Sequence, residues 1–254
     1  MTASPRIALV TGGNKGIGRA VVQQLAELGM TVYLGSRDEA RGRAAEAELR
    51  RAGLDVHFLR VDLNDESSAL LAAKQIDEHN GRLDVLVNNA GFSNAWQPPS
   101  QTPVDEVRRV LDTNVLGTIA VTNAMLPLLR RSDAARIVNV SSTLGSLTAA
   151  SQNFDPTGTI PPGSFPAMIG YTTSKAALNS VTVMYALELR EEGILVNSAC
   201  PGHVATDING GSGEGRATQD GARIPVMLAT LPDGGPTGSF TGSDSELTPI
   251  QLPW

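Results

Sequence analysis

An open, doubly wound α/β sheet, mostly parallel and seven-stranded, with helices on both faces of a single domain, is predicted by three observations. Short apolar runs alternate with longer amphipathic segments along the chain; the runs are rich in β-branched residues and apolar on both faces; and the first run opens into a glycine-rich turn. At 254 residues the chain is long enough for one well-buried core, and 1–254 is read as one domain.

RIALV is the first run, followed by a helix that reaches Leu28 and Gly29. TVYLGS then leads into EARGRAAEAELRRAG, and VHFLRVD into SSALLAAKQIDEHNG. LDVLVNNAG precedes a long helical pattern over about 104–131; ARIVNVSS, a helix starting near Tyr171, and ILVNSACPG continue the rhythm. Gly29, Gly53, Gly81 and Gly193 fall where helical patterns end, as left-handed caps do. A last short strand is expected around Ser239, Phe240 and Thr241, followed by a tail with weak periodicity. Two stretches break the rhythm. One is an insert rich in Pro, Gly, Ser and Thr at about 149–168; the other, at about 207–224, is dense in glycine and reads as a lid over the substrate.

Composition excludes several classes of function. The formal net charge is -6 and no Lys/Arg run is present, so neither nucleic acid nor an anionic membrane is an expected partner. A single cysteine rules out an intrachain disulfide, and His57, His79 and His203 lack metal-ligand spacing, so no metal is expected. No leader pattern and no run of membrane-spanning length is present, and the expected location is cytoplasmic.

The turn after the first run reads Thr11-Gly12-Gly13-Asn14-Lys15-Gly16-Ile17-Gly18. Glycine at 12, 16 and 18 would let backbone approach a pyrophosphate, which the free N–H groups and dipole of the next helix would stabilise. On its own such a turn is equally a plain strand-to-helix connection; its place after the first strand makes it the opening of a Rossmann-type unit. Lys15 in this loop and Arg37 after the second strand are two cations on one predicted crevice. A site for unphosphorylated ribose tends to carry Asp or Glu at the end of the second strand, whereas here Ser36 and Arg37 stand there. That favours a 2′-phosphate and hence NADPH/NADP+. The competing reading makes them solvated surface cations, with Asp38 capping the next helix. Asp62, with Leu63 beside it, is placed at the adenine, or else approaches a helix as a cap.

TGGNKGIG, NNAG, Asn114 in DTNVLG, VNVSS, Tyr171-TTS-Lys175 and CPG occur in this order over nearly the whole chain, which resembles the short-chain dehydrogenase/reductase family. NKGIG with GSRD, the insert before the tyrosine, and a tail running from TLPDGGPTGSF to a terminal tryptophan resemble its NADPH-dependent carbonyl reductases. The resemblance implies that Tyr171 gives a proton to a carbonyl oxygen, that Lys175 also holds ribose hydroxyls, and that Ser142 binds the substrate oxygen. It further implies that Asn114 kinks its helix and holds a water that relays protons, and that Asn89, Ala90, Gly91, Pro201, Gly202, Val204 and Thr206 line the cofactor along with Gly12, Asn14, Lys15, Gly16, Ile17 and Gly18.

Residue chemistry supports the reactive pair. A phenol titrates near 10 in water, and a lysine four residues on, on the same helical face, would favour the phenolate and so make a poised acid. Read alone, the pair is also compatible with an ordinary partly exposed i,i+4 contact. Ser141 competes with Ser142, since alternation along a strand lets only one face the pocket. His203 is read as a loop group and Cys200 as a small buried filler. Trp96, Phe92, Phe154, Phe165 and Met168 are the apolar candidates for the substrate wall.

The expected function is NADPH-dependent reduction of a small ketone, aldehyde or quinone. A secondary-alcohol dehydrogenase or 3-oxoacyl reductase is the alternative within enzymes, and a non-catalytic NADPH-binding sensor the alternative of another class. Twenty-eight residues separate Ser142 from Tyr171, more than the commonest family members leave. By resemblance such an insert shields the tyrosine helix and implies a monomer or dimer rather than a tetramer.

Overall fold

The computed structural model describes residues 4–93, 96–209 and 215–254. β1 (Ile7–Thr11), β2 (Thr31–Ser36), β3 (Val56–Arg60), β4 (Val85–Asn88), β5 (Arg136–Val140), β6 (Leu195–Ala199) and β7 (Phe240–Ser243) form parallel ladders in the order β3-β2-β1-β4-β5-β6-β7. Among the described residues the sheet has eight strands, not the seven expected. β8 (Pro249–Gln251) adds an antiparallel edge on β7, pairing Thr241 with Gln251 and Ser243 with Pro249. Three residues are too few to carry a period, so composition read this strand as tail. Trp254 stacks on Phe240 just beyond it, with ring centroids 5.4 Å apart.

Alternation along β1 sends Ala8 and Val10 to one face and Ile7 and Leu9 to the other. The first face is covered by α1 (Gly16–Glu27), α2 (Glu39–Arg51) and α8 (Thr218–Ala229), which contribute Val21, Leu25, Leu49 and Leu228. α3 (Glu66–Asn80), α5 (Thr118–Leu129) and α7 (Ile169–Glu188) cover the second with Ile76, Met125 and Ala186. The doubly wound, two-faced packing thus follows from runs apolar on both sides. Gly29, Gly53, Gly81 and Gly193 all take positive φ at the ends of helices. Asp38 and Asp65 cap α2 and α3, accepting from the Arg41 and Ser68 amides. At the outer edge, the Phe58 amide of β3 donates to the Glu46 carboxylate of α2 at 3.0 Å. No helix among the described residues is long and apolar enough to cross a membrane.

The predicted helix over 104–131 is interrupted. α4 (Val104–Leu111) runs into a π-helical turn, Asp112–Gly117, before α5 begins. Gly117 packs so closely on the next loop that a Cβ there would stand 2.3 Å from the Leu63 carbonyl oxygen. The insert is more ordered than its composition suggests, containing α6 (Leu147–Ser151) and a hydrogen-bonded loop. It does not reach over the later turns of α7, where Met184 and Leu187 remain exposed. The expected lid falls partly outside the described residues, at 210–214. Its flanks are held: the backbone of Arg216 bonds to His203 and Ala205, and its guanidinium to the Ser243 hydroxyl.

Candidate active site

A cleft of about 1280 Å³ opens at the carboxyl ends of the parallel strands, where ligands of open α/β sheets bind. One half is backbone. Gly12 and Gly16 take positive φ, and a Cβ on Gly18 would lie 2.3 Å from the Gly12 oxygen, so only glycine permits this approach. The Asn89 amide donates to the Thr11 oxygen at 2.9 Å, and the Thr11 hydroxyl accepts from the Asn89 and Ala90 amides at 3.0 Å. NNAG and the glycine turn are thereby locked together. Lys15, the residue preceding α1, makes no side-chain cap, which leaves the helix's first amides to a ligand.

Arg37 is exposed on the cleft, and Arg41, one turn further along α2, lines it as well while pairing with Asp38. Lys15, expected on a phosphate, pairs with Asp207 beyond β6. Hydrogen bonding and the nearby charge of Lys15 hold the Asp207 carboxyl below its usual range. Asp62 and Leu63 line the cleft, with Asp62 accepting from the Asn64 amide at 3.1 Å. Asn14, Ile17, Ala90, Gly91, Pro201, Gly202, Val204 and Thr206 line it too.

The other half is built on α7. Gly145, in the short turn Thr143–Gly145 that follows Ser142, lies against α7 so tightly that a Cβ would meet the Lys175 carbonyl carbon at 2.6 Å. Asn179 reinforces this contact by donating to the Gly145 oxygen at 3.3 Å. Beneath the site a buried polar row ties strands to helices: Asn88 donates to Thr122 and Asn139, and Asn139 to Thr182. These bonds fix α5 and α7 relative to β4 and β5.

Ser142 and Tyr171 line the same cleft, where the Ser142 hydroxyl accepts from the Leu144 amide at 3.2 Å. Ser141 is buried instead, its hydroxyl turned toward the Lys175 carbonyl. Lys175 is 5 % exposed; its Nζ donates to the Val140 oxygen at 2.7 Å and lies 5.6 Å from the Tyr171 ring centroid. Burial pushes the ammonium down to about 8. It also pushes the Tyr171 phenol up, and the Ser142 side chain offsets this only in part. The phenol with a lowered pKa that the i,i+4 spacing suggested is therefore not the state found. Desolvation acts on both groups, and the nearest partner of the ammonium is a backbone carbonyl.

Asn114 lies in the π-helical turn, where its amide donates to the Phe92 oxygen and the Ser174 hydroxyl and accepts from the Phe92 amide. A Cβ on Gly91 would stand 3.0 Å from Asn114 Oδ1 and 3.8 Å from Lys175 Nζ, so these groups are gathered at the end of β4. Cys200 is a buried thiol accepting from the Thr143 amide, and burial pushes its pKa up, as suits a filler. Of the apolar wall candidates, Phe92, Met168 and the exposed Trp96 line the cleft, while Phe154 and Phe165 lie off it. Thr159 and Ile160 line the cleft from the 149–168 insert, expected as a pocket wall, whereas sequence reading missed Thr11 and Arg41 as locking or lining residues. Arg41 had a signal in its spacing of four from Arg37; the role of Thr11 depends on how loops fold.

The family model described as short chain dehydrogenase matches residues 6–154 and 162–217. Carbonyl reductase (NADPH) 1 of Sus scrofa is 34 % identical, covering 100 % of this chain and 99 % of that protein. The structure of salutaridine reductase from Papaver somniferum superposes with a TM-score of 0.77 at 30 % identity, over 94 % of this chain and 99 % of that one. The NADPH-bound carbonyl reductase from chicken fatty liver superposes with a TM-score of 0.82 at 24 % identity, over 98 % and 99 % of the two chains, a likeness of fold.

Proposed function

The chain belongs to the short-chain dehydrogenase family, and from that premise we propose that it is an NADPH-dependent reductase of a small ketone, aldehyde or quinone with Tyr171 as general acid. The observation that carries this reading is the convergence of Ser142, Tyr171 and a buried Lys175 on the same cleft as the glycine turn. That turn fits a dinucleotide, because Gly12 and Gly18 leave no room for side chains and the first amides of α1 have no side-chain cap, so they would be available to a pyrophosphate. Arg37 and Arg41 suit a 2′-phosphate, in keeping with the NADPH in the name of the Sus scrofa relative.

When bound, the cofactor supplies hydride to the carbonyl carbon. The protein's part is to hold the substrate oxygen and deliver a proton to it. Ser142 donates a hydrogen bond to that oxygen, and Tyr171, kept protonated by desolvation, transfers its phenolic proton as negative charge develops. Lys175, ionised below about pH 8, stabilises the phenolate left behind. Asn114 holds the end of β4 in place through Phe92.

Purified protein should oxidise NADPH faster than NADH across a panel of activated carbonyls, and Tyr171→Phe should lower the rate by roughly 10²-fold or more. Full activity in that variant would remove Tyr171 from the acid role. A wild-type protein that binds NADPH but turns over no carbonyl would favour a sensor.

A further inference from the structure

Asp155, within the Pro/Gly-rich insert, is 2 % exposed. Its carboxylate accepts from the Thr157 amide at 3.0 Å and hydroxyl at 2.7 Å, from the Thr159 amide at 2.9 Å and hydroxyl at 2.8 Å, and from the Ile160 amide at 3.0 Å. Burial alone would raise the pKa of such a carboxyl, but these hydrogen bonds outweigh it and hold it below the usual range, so it is charged at neutral pH. Two residues away, Asn153 at φ 49° closes the base of the loop by accepting from the Gly163 and Phe165 amides. Two of the residues that the carboxylate gathers, Thr159 and Ile160, form a wall of the cleft together with the adjoining Pro161. The carboxylate is thus a staple behind this wall and does not line the cleft itself.

We infer that Asp155 is a positioning residue for the substrate: by fixing the backbone of 159–161 it sets the width of the pocket and so selects among carbonyl substrates by bulk. This rests on the reductase reading given above. A loop of this composition would otherwise sample many conformations, and a charged carboxylate with several donors converging on it selects one. The effect should therefore appear in substrate discrimination and leave the cofactor half untouched.

The test is Asp155→Asn, which keeps the shape but replaces one accepting oxygen with a donor. A rigid aryl ketone and a short aliphatic aldehyde would be compared, NADPH affinity followed by fluorescence titration, and amide hydrogen exchange followed over 152–166. The expected result is an aryl-ketone KM raised about fivefold or more, as the loss of hydrogen bonds to a charged acceptor implies, with aldehyde KM, kcat and NADPH affinity within about twofold. The Thr157, Thr159 and Ile160 amides should exchange faster. Thr157→Val, which removes one hydroxyl donor from a residue that lies off the cleft and keeps the carboxylate, should shift the ketone-to-aldehyde ratio in the same direction by less, and serves if the first variant does not fold. Equal changes for both substrates, or an unchanged ratio in a folded variant, would overturn the proposal. Faster exchange with no carbonyl turnover by the wild-type protein would leave the staple standing and sink the reductase reading instead.

Discussion

At the substrate end of the cleft, Lys175 lies buried with its ammonium pushed down to about 8, whereas at the adenosine end Lys15, Arg37 and Arg41 stand in solvent. The same kind of charge does different work in the two places. Burial turns the first into a titrating group whose proton can be moved near neutral pH. The others, exposed, would act on an anionic ligand by attraction, each contributing modestly and less so in salt. On the proposed reading, chemistry is concentrated where water is excluded, and recognition is spread where it is not.

Removing the buried charge should give the largest effect. Lys175→Met is expected to lower carbonyl reduction by roughly 10²-fold or more. It should also stabilise the fold at pH 7, because a shift from 10.5 to about 8 corresponds to a burial cost on the order of 3 kcal/mol. The sign follows from proton uptake. Between about 8 and 10.5 the unfolded chain binds the proton and the folded one does not, so wild-type stability rises with pH across that window and the variant's advantage shrinks. Thermal melts at pH 7 and 10 would measure it, and a variant less stable than wild type at pH 7 would break the comparison.

Wild-type pH dependence is the next largest expected effect. The reductive kcat should fall as pH rises through about 8, where Lys175 loses its proton; a profile flat to pH 10 would show that the ammonium does not assist Tyr171. At the exposed end, Arg37→Ala should raise the NADPH KM about tenfold, the worth of one charge-assisted contact, and leave the NADH KM nearly unchanged. Equal losses with both cofactors would remove the 2′-phosphate role. The smallest effect is expected for Asp207→Asn. Its ion pair with Lys15 is exposed, so breaking it should change NADPH affinity by no more than about fivefold, and less at high salt. A larger change would place Lys15 with the buried group rather than the exposed one.

Most of the sheet was legible because its strands are long enough to show apolar faces and several helical segments end on glycines. The glycine turn, NNAG and the Tyr171–Lys175 spacing were legible for a related reason: each lies within a few consecutive residues on a predictable element. What escaped depends on contacts between distant segments. β8 exists because β7 offers it an edge. The π-helical turn accompanies the packing of Gly117 on Leu63. The acidity of Tyr171 is governed by desolvation, which a four-residue spacing does not report. The insert read as loose because Pro and Gly dominate its composition, although Asp155, Thr157 and Thr159 already spelled out an acceptor followed by two hydroxyl donors.

The two margins of the sheet bear on how the protein behaves in crowded solution. An open row of strand amides is a template onto which another chain can add, and it is the usual starting point for aggregation. Here one margin is short and carries Pro249, which has no amide hydrogen to offer, while at the other the Phe58 amide is already taken by Glu46. Both ends of an otherwise apolar, β-rich sheet are thus poor seeds for stacking, and the fold can keep its hydrophobic strands without exposing them as a fibre template.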